Sequence, residues 1–211
     1  MIKKNLKTMV ITSVIILLPI VFGLIMWNKL PDEVPIHWNI QGEVDKYTGK
    51  AAAVFGMPVF FLALHWISVF LTGVDPKNKN IDGKMQTMVL WICPAVSLVI
   101  GALVSATALD SNIKVNVIMS LLLGAMFVII GNYLPKCKHN YTVGIKLPWT
   151  LNDEENWNKT HRFAGFLWVA GGVAILATAF LGSVAVLFVI LALMVIVPTV
   201  YSYGTFKKKN K

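Results

Sequence analysis

The sequence predicts an all-α membrane protein, a six-helix transmembrane bundle with both termini in the cytoplasm. Three observations predict it. The 211 residues are 56% hydrophobic and only 14% charged, where a soluble domain carries about 25% charged residues, which sets aside an ordinary cytosolic enzyme. Six apolar stretches follow one another: Met9 to Trp27, Ala51 to Thr72, Thr87 to Leu109, Val115 to Leu134, Phe163 to Leu181 and Ser183 to Tyr203. At about 1.5 Å rise per residue, each is long enough as a helix to cross a hydrocarbon core of about 30 Å. Finally, none of the 19 Lys and Arg or the 10 Asp and Glu falls inside a stretch, as expected where one charge at a helix centre costs about 2.5–3.5 kcal/mol.

The first stretch has Lys3, Lys4 and Lys7 ahead of it. Its apolar run exceeds the core of about 7–15 residues usual in a signal peptide and no small-x-small site follows Met26 or Trp27, so it reads as a retained helix. Residues 1–211 then form a single integral membrane domain. The first two spans, 9–72, enclose an outside loop at 28–50, and the last four, 87–203, enclose a cytoplasmic loop at 135–162. Basic residues divide 15 to 4 between alternate sides, the larger group comprising the start, the Pro76 region, the Lys136 to Arg162 loop and the tail. The positive-inside rule therefore predicts a multi-pass cell-membrane protein with both ends cytoplasmic. The net charge of +9 is accounted for as a topology signal rather than a nucleic-acid footprint, so no direct nucleic-acid partner is expected. Lys207 to Lys209 with Lys211 are placed to touch anionic membrane lipid.

Within the spans, Pro19, Pro58, Pro94 and Pro198 each free a backbone carbonyl and permit a kink. Small residues recur every fourth position in the fifth span (Ala170, Ala174, Thr178, Gly182) and in the third (Ser97, Gly101, Ser105), faces suited to close packing within the bundle or between copies. The oligomeric state stays open at this level. His65 is the one histidine inside a span, read as a hydrogen-bonded interfacial side chain. Carboxylates at mid-membrane, the usual equipment of ion-coupled transport, are missing. Cys93 and Cys137 make neither a CxxC nor a zinc spacing, so no disulfide, metal or cofactor is expected. With no HExxH and no GxSxG, no catalytic residue is assigned and the chain reads as a non-enzyme.

The outside loop alternates apolar residues with Pro35, His37 and Asn39 from Val34 to Ile40, and Gln41-Gly42-Glu43 then supplies a turn before Val44. That pattern predicts a short hairpin on the bilayer surface. Trp38 and Tyr47 suit the interface. His37, Trp38, Asn39, Gly42 and Asp45 make this a candidate sensing surface, although one His with one carboxylate is weak evidence for a metal and a turn held by its own side-chain hydrogen bonds is the simpler reading.

The cytoplasmic loop is far longer than the 2–8 residues common between packed helices. Thr150 followed by Asp153 resembles a capping box, and Asp153, Glu154 and Glu155 suit a helix N-terminus. A helix starting there would run straight into the fifth span, put Trp157 and His161 one turn apart on one face, and set Glu155 to pair with Lys159. Ahead of it, Asn140, Gly144 and Pro148 break regular structure, which predicts a shaped, extended segment from Tyr141 to Trp149. The loop is read either as a lid packed on the bundle or as a partner-binding surface. In the second reading the partner-binding residues are Asn132, Asn140, Gly144, Lys146, Trp149, Trp157, His161 and Arg162, with Asn140 and Gly144 setting the backbone, Trp149, Trp157, His161 and Arg162 presenting their side chains, and Arg162 the anchor for a partner's carboxylate.

Gly131-Asn-Tyr-Leu-Pro-Lys, Asn140 with Gly144-Ile-Lys-Leu-Pro-Trp-Thr-Leu, and Trp157 with Thr160-His-Arg resemble the signature of the SdpI family, bacterial membrane proteins giving immunity to a secreted toxic peptide. The loop from Leu30-Pro-Asp to Gly42 resembles the small N-terminal domain of unknown function that often precedes it. Lys146 stands where the family usually shows Arg, a departure that matters wherever bidentate pairing is needed. The resemblance implies a multi-pass cell-membrane protein that protects against a toxic peptide and, in the best-known pairing, signals to a cytoplasmic transcriptional repressor; the outside loop, from its own residues, is the expected sensing or toxin-contact surface. A small-molecule or peptide exporter or channel, and a membrane-embedded enzyme, are the alternatives from other classes.

Overall fold

The computed structural model describes residues 2–109 and 112–209; Lys211, expected at the lipid surface, lies outside them. In chain order the elements are α1 (Ile2–Ile25), strands β1 (Glu33–Trp38) and β2 (Val44–Gly49), α2 (Met57–Val74), α3 (Gly83–Ala108), α4 (Val115–Tyr133), the single turn α5 (Pro148–Leu151), α6 (Glu154–Thr178) and α7 (Val184–Lys209). All six expected spans are present as helices long and apolar enough to cross a membrane. Their apolar side chains are widely exposed, Phe166 and Phe180 each at 78%, a surface suited to acyl chains and ill suited to water.

The chain divides into two compact units, Met1–Gly73 with Gln86–Asn116, and Val74–Met85 with Val117–Lys211. In the first, β1 and β2 pair antiparallel from Glu33 opposite Gly49 to Trp38 opposite Val44, with the register shifting around His37. The strand expected to reach Ile40 stops at Trp38 because Asn39 folds the turn: its Oδ1 accepts from the backbone N–H of Gln41 at 2.9 Å and of Glu43 at 3.0 Å. Gly42 closes that turn at φ +84°, a conformation glycine adopts without a Cβ penalty. A π-helical turn over Ala52–Gly56 then leads into α2. Val34, Ala53 and Val104 form one apolar cluster with Trp38 and Ile100 packed against it, and Met9, Val69 and Leu90 form another. The Ser97–Gly101–Ser105 stripe is used within the chain. Ser97 Oγ donates to the Ile16 carbonyl at 3.0 Å, and a Cβ on Gly101 would stand 2.7 Å from Pro19 Cβ. His65 is not interfacial as expected: it is wholly buried, with Nε2 3.0 Å from Thr12 Oγ1.

In the second unit α4 and α6 approach through glycines. A Cβ on Gly165 would lie 2.7 Å from the Gly131 carbonyl, and one on Gly172 would lie 2.8 Å from the Gly124 carbonyl. The expected stripe of Ala170, Ala174, Thr178 and Gly182 is therefore not the close face, and Ala170 and Gly182 are exposed. Trp168 joins α6 to α7: its Nε1 donates to the Met194 carbonyl at 2.9 Å. That carbonyl sits four residues before Pro198, which has no N–H to reach it, so the indole supplies the missing donor.

Candidate functional site

The region singled out by the sequence is the loop from Cys137 to Leu147, and it is folded inward rather than splayed. Asn140, wholly buried, organises it. Its Oδ1 accepts from the Thr142 N–H at 2.9 Å and the Val143 N–H at 2.7 Å, and its Nδ2 donates to the carbonyls of Lys138 at 2.9 Å and Val143 at 3.0 Å. One amide thereby replaces the ladder that an irregular segment lacks. Gly144 follows at φ +127°, where an added Cβ would meet His161 Nε2 and come within 2.9 Å of the Trp157 ring. The chain then turns into α5, which begins at Pro148, with Thr150 Oγ1 accepting from the Leu147 N–H and donating to the Ile145 carbonyl, both at 2.9 Å.

The helix beyond starts one turn later than expected. Asp153, not Thr150, is the cap of α6, accepting from Glu155 N at 3.0 Å and Asn156 N at 3.3 Å, and Lys209 Nζ reaches its other oxygen at 2.9 Å. The Lys209 ammonium holds the Asp153 carboxyl below its ordinary range; burial opposes it and the backbone donors of Asn156 and Glu155 add to it. Thr150 is unavailable as a cap because its hydroxyl is already committed to α5. The spacing argument for α6 otherwise applies: Trp157 and His161 stack with ring centroids 4.0 Å apart, and Lys159 meets Glu155 at 2.7 Å.

Trp157 and His161, expected to present their side chains, are corrected by this geometry. They are 0% and 1% exposed. Trp157 Nε1 donates to the Cys137 carbonyl at 2.7 Å, His161 Nδ1 donates to the Trp157 carbonyl at 2.8 Å, and His161 Nε2 accepts from the Ile145 N–H at 2.9 Å. Both pin the loop to α6. Trp149 is half-buried, donating to Ser202 Oγ at 2.7 Å beside Tyr203 and Phe206. Asn132, Lys146 and Arg162 are exposed. The structure thus brings Asn140, Gly144, Trp157 and His161 into one packed cluster and leaves Asn132, Lys146 and Arg162 outside it.

Sequence reasoning missed the partners that the segment before α3 supplies. Asp75, only 6% exposed, accepts from the Lys77 N–H at 2.7 Å, the Tyr141 N–H at 2.9 Å and the Thr142 hydroxyl. Burial pushes its carboxyl up, but the Thr142 hydroxyl and the backbone donors together outweigh it and hold the group below its ordinary range. Asn80 Nδ2 donates to the His139 carbonyl at 2.8 Å. The Cys137 thiol, buried against Asn140, is pushed up to about 11 by burial and stays protonated at neutral pH. Asn156 and Ser202, also missed, join α6 to α7 through Ser202 Oγ donating to Asn156 Oδ1 and Asn156 Nδ2 donating to the Ser202 carbonyl, both at 3.1 Å.

In the hairpin, His37 Nδ1 lies 2.5 Å from Asp45 Oδ1, with the two side chains 57% and 37% exposed. Asn39 does not join them, its carbonyl being spent on the turn and its amide lying 3.2 Å from Glu43 Oε2. Trp38 is half-buried against the Val34 cluster rather than offered to solvent. Among the described residues no group of three or more His, Cys, Asp or Glu is arranged to hold a metal ion.

Six apolar helices, a surface hairpin and an inward-folded loop define a multi-pass membrane protein. Comparison with known proteins finds three similarities. The family model described as the SdpI/YfhL protein family matches residues 136–202, which contain the whole inward-folded loop, α5, α6 and much of α7. A domain of unknown function (DUF1648) matches residues 14–62, which contain the hairpin. The immunity protein SdpI of Bacillus subtilis (strain 168) is 25% identical over 213 aligned residues, covering 97% of this chain and 99% of that protein. The chain is thus similar to the SdpI/YfhL family over residues 136–202 and to that immunity protein along nearly its whole length. No solved structure matches the chain.

Proposed function

We propose that this chain is a membrane immunity protein that protects the cell carrying it against a secreted toxic peptide. The observation that carries the reading is the end-to-end similarity to an immunity protein, 97% of one chain aligned with 99% of the other. Both termini face the cytoplasm in this proposal, supported by the 15 to 4 division of basic residues and the positive-inside rule. The hairpin then lies outside and meets the toxin through His37 and Asp45, while Trp38, Asn39 and Gly42 hold it in shape. The exposed pair His37 and Asp45 supplies the polar chemistry, and Trp38 anchors the hairpin to the helix ends.

The inward-folded loop then lies in the cytoplasm. Its exposed residues Asn132, Lys146 and Arg162, with the half-buried Trp149, are the surface offered to a cytoplasmic repressor, while Asn140, Gly144, Trp157 and His161 hold that surface in shape. Expression of the chain in a toxin-sensitive host tests the function: survival on toxin rises if the reading is right, and unaltered sensitivity at normal membrane abundance removes it.

A further inference from the structure

Two imidazoles flank the Trp157 indole, His161 stacked on it and His139 edge-on with centroids 5.0 Å apart. Each is gripped by a donor that needs a bare ring nitrogen. For His161 the donor is the Ile145 N–H, and its other nitrogen carries the proton given to the Trp157 carbonyl. For His139 the donor is an ammonium: Lys77 Nζ lies 2.6 Å from Nδ1. Lysine only donates, so Nδ1 must present its lone pair and the ring proton must sit on Nε2. Nε2 is buried without a hydrogen-bond partner among the described residues, on a residue 5% exposed.

The neighbouring charges leave this contact without a counter-ion. The Asp75 carboxylate is committed to the Lys77 and Tyr141 N–H groups and the Thr142 hydroxyl, and Lys77 makes no ion pair within 4.0 Å among the described residues. Its ammonium instead also lies over the Tyr141 ring, 5.4 Å from the centroid. The other titratable groups around the histidine are the protonated Cys137 thiol, on which Asp82 acts from a distance, and His161; Lys79 and Lys138 point outward, both exposed.

We propose that His139 is a proton-operated latch that fastens the 74–85 segment to the 137–147 loop, closed by Lys77 while the imidazole is neutral and opened when it takes a proton. Protonation removes the lone pair that Lys77 requires and sets two cations against each other in a poorly solvated site. The ammonium must leave, and with it goes one of the side chains that hold the loop down. A fall in the pH bathing this face is therefore the signal. The latch concerns how the loop is held and stands whether or not the chain protects against a toxin.

Hydrogen exchange of the full chain in lipid nanodiscs, corrected for the intrinsic effect of pH, tests it. Peptides covering 137–147 are expected to exchange about tenfold faster at about pH 5.5 than at about pH 8, while peptides from the middle of α7 stay protected at both. In His139→Asn the side-chain oxygen still accepts from Lys77 but takes no proton, so the loop stays protected at both pH values. In Lys77→Met the ammonium is gone, so acid produces no additional opening. Loop protection in the parent that does not change with pH overturns the latch. So does a pH response that persists in His139→Asn, which would assign the response to His161, or one that persists in Lys77→Met, which provides an independent reading if the histidine variant does not fold.

Discussion

Gly144 is the position at which the loop has least freedom to change. Its φ of +127° disfavours any side chain, and the space a Cβ needs is filled by His161 and Trp157. Gly144→Ala is expected to cost about 1–3 kcal/mol from backbone strain alone, read as a lowered thermal midpoint in detergent, whereas Lys146→Ala on the exposed side should leave the midpoint unchanged. Asp75 gives a pH signature. Its carboxyl is held below the ordinary range in the folded chain by hydrogen bonds, so its contribution is complete above about pH 4 and lost as pH falls through the depressed folded value. Thermal melts in acid should therefore show a loss of stability that Asp75→Asn flattens, the variant being the weaker protein at neutral pH. Of these residues the sequence announced Asn140, Gly144, Trp157 and His161, because breakers and helical spacing are local signals. It could not announce Asp75 or Lys77. Their partners Thr142 and His139 lie 67 and 62 residues away, and nothing in a single sequence ties two such positions together.

At the scale of elements, the spans were legible because hydrophobic length and the exclusion of charge are properties of a segment by itself. The hairpin was legible from alternation and its Gly turn. What misled was competition between equivalent signals. Thr150 and Asp153 both suit a cap, and the choice fell to Asp153 once α5 had claimed the threonine hydroxyl. Small residues lie on two faces of α6, and the pair Gly165 and Gly172, seven residues apart, won the close approach because α4 carries Gly131 and Gly124 opposite them. Gly165→Leu is accordingly expected to force α4 and α6 apart and reduce folded protein recovered from membranes, as judged by size-exclusion chromatography. Ala170→Leu, on the exposed face, should be recovered at the parental level.

At the scale of the whole molecule, the proposed function requires the hairpin outside and the folded loop inside. Single cysteines placed by Gln41→Cys and Asn152→Cys, treated in intact cells with a membrane-impermeant thiol reagent and compared with the unaltered chain, should label at 41 and stay silent at 152; the reverse pattern would invert the orientation. Protection against a peptide toxin is the central claim, and a survival curve against toxin dose tests it most directly, measured in a sensitive host at matched membrane abundance. The intact chain and Arg162→Ala are predicted to shift the curve to higher dose. Replacing His37, Trp38 and Asp45 together by Ala should move it back toward the empty host. An intact chain whose curve overlays that of the empty host would contradict the account.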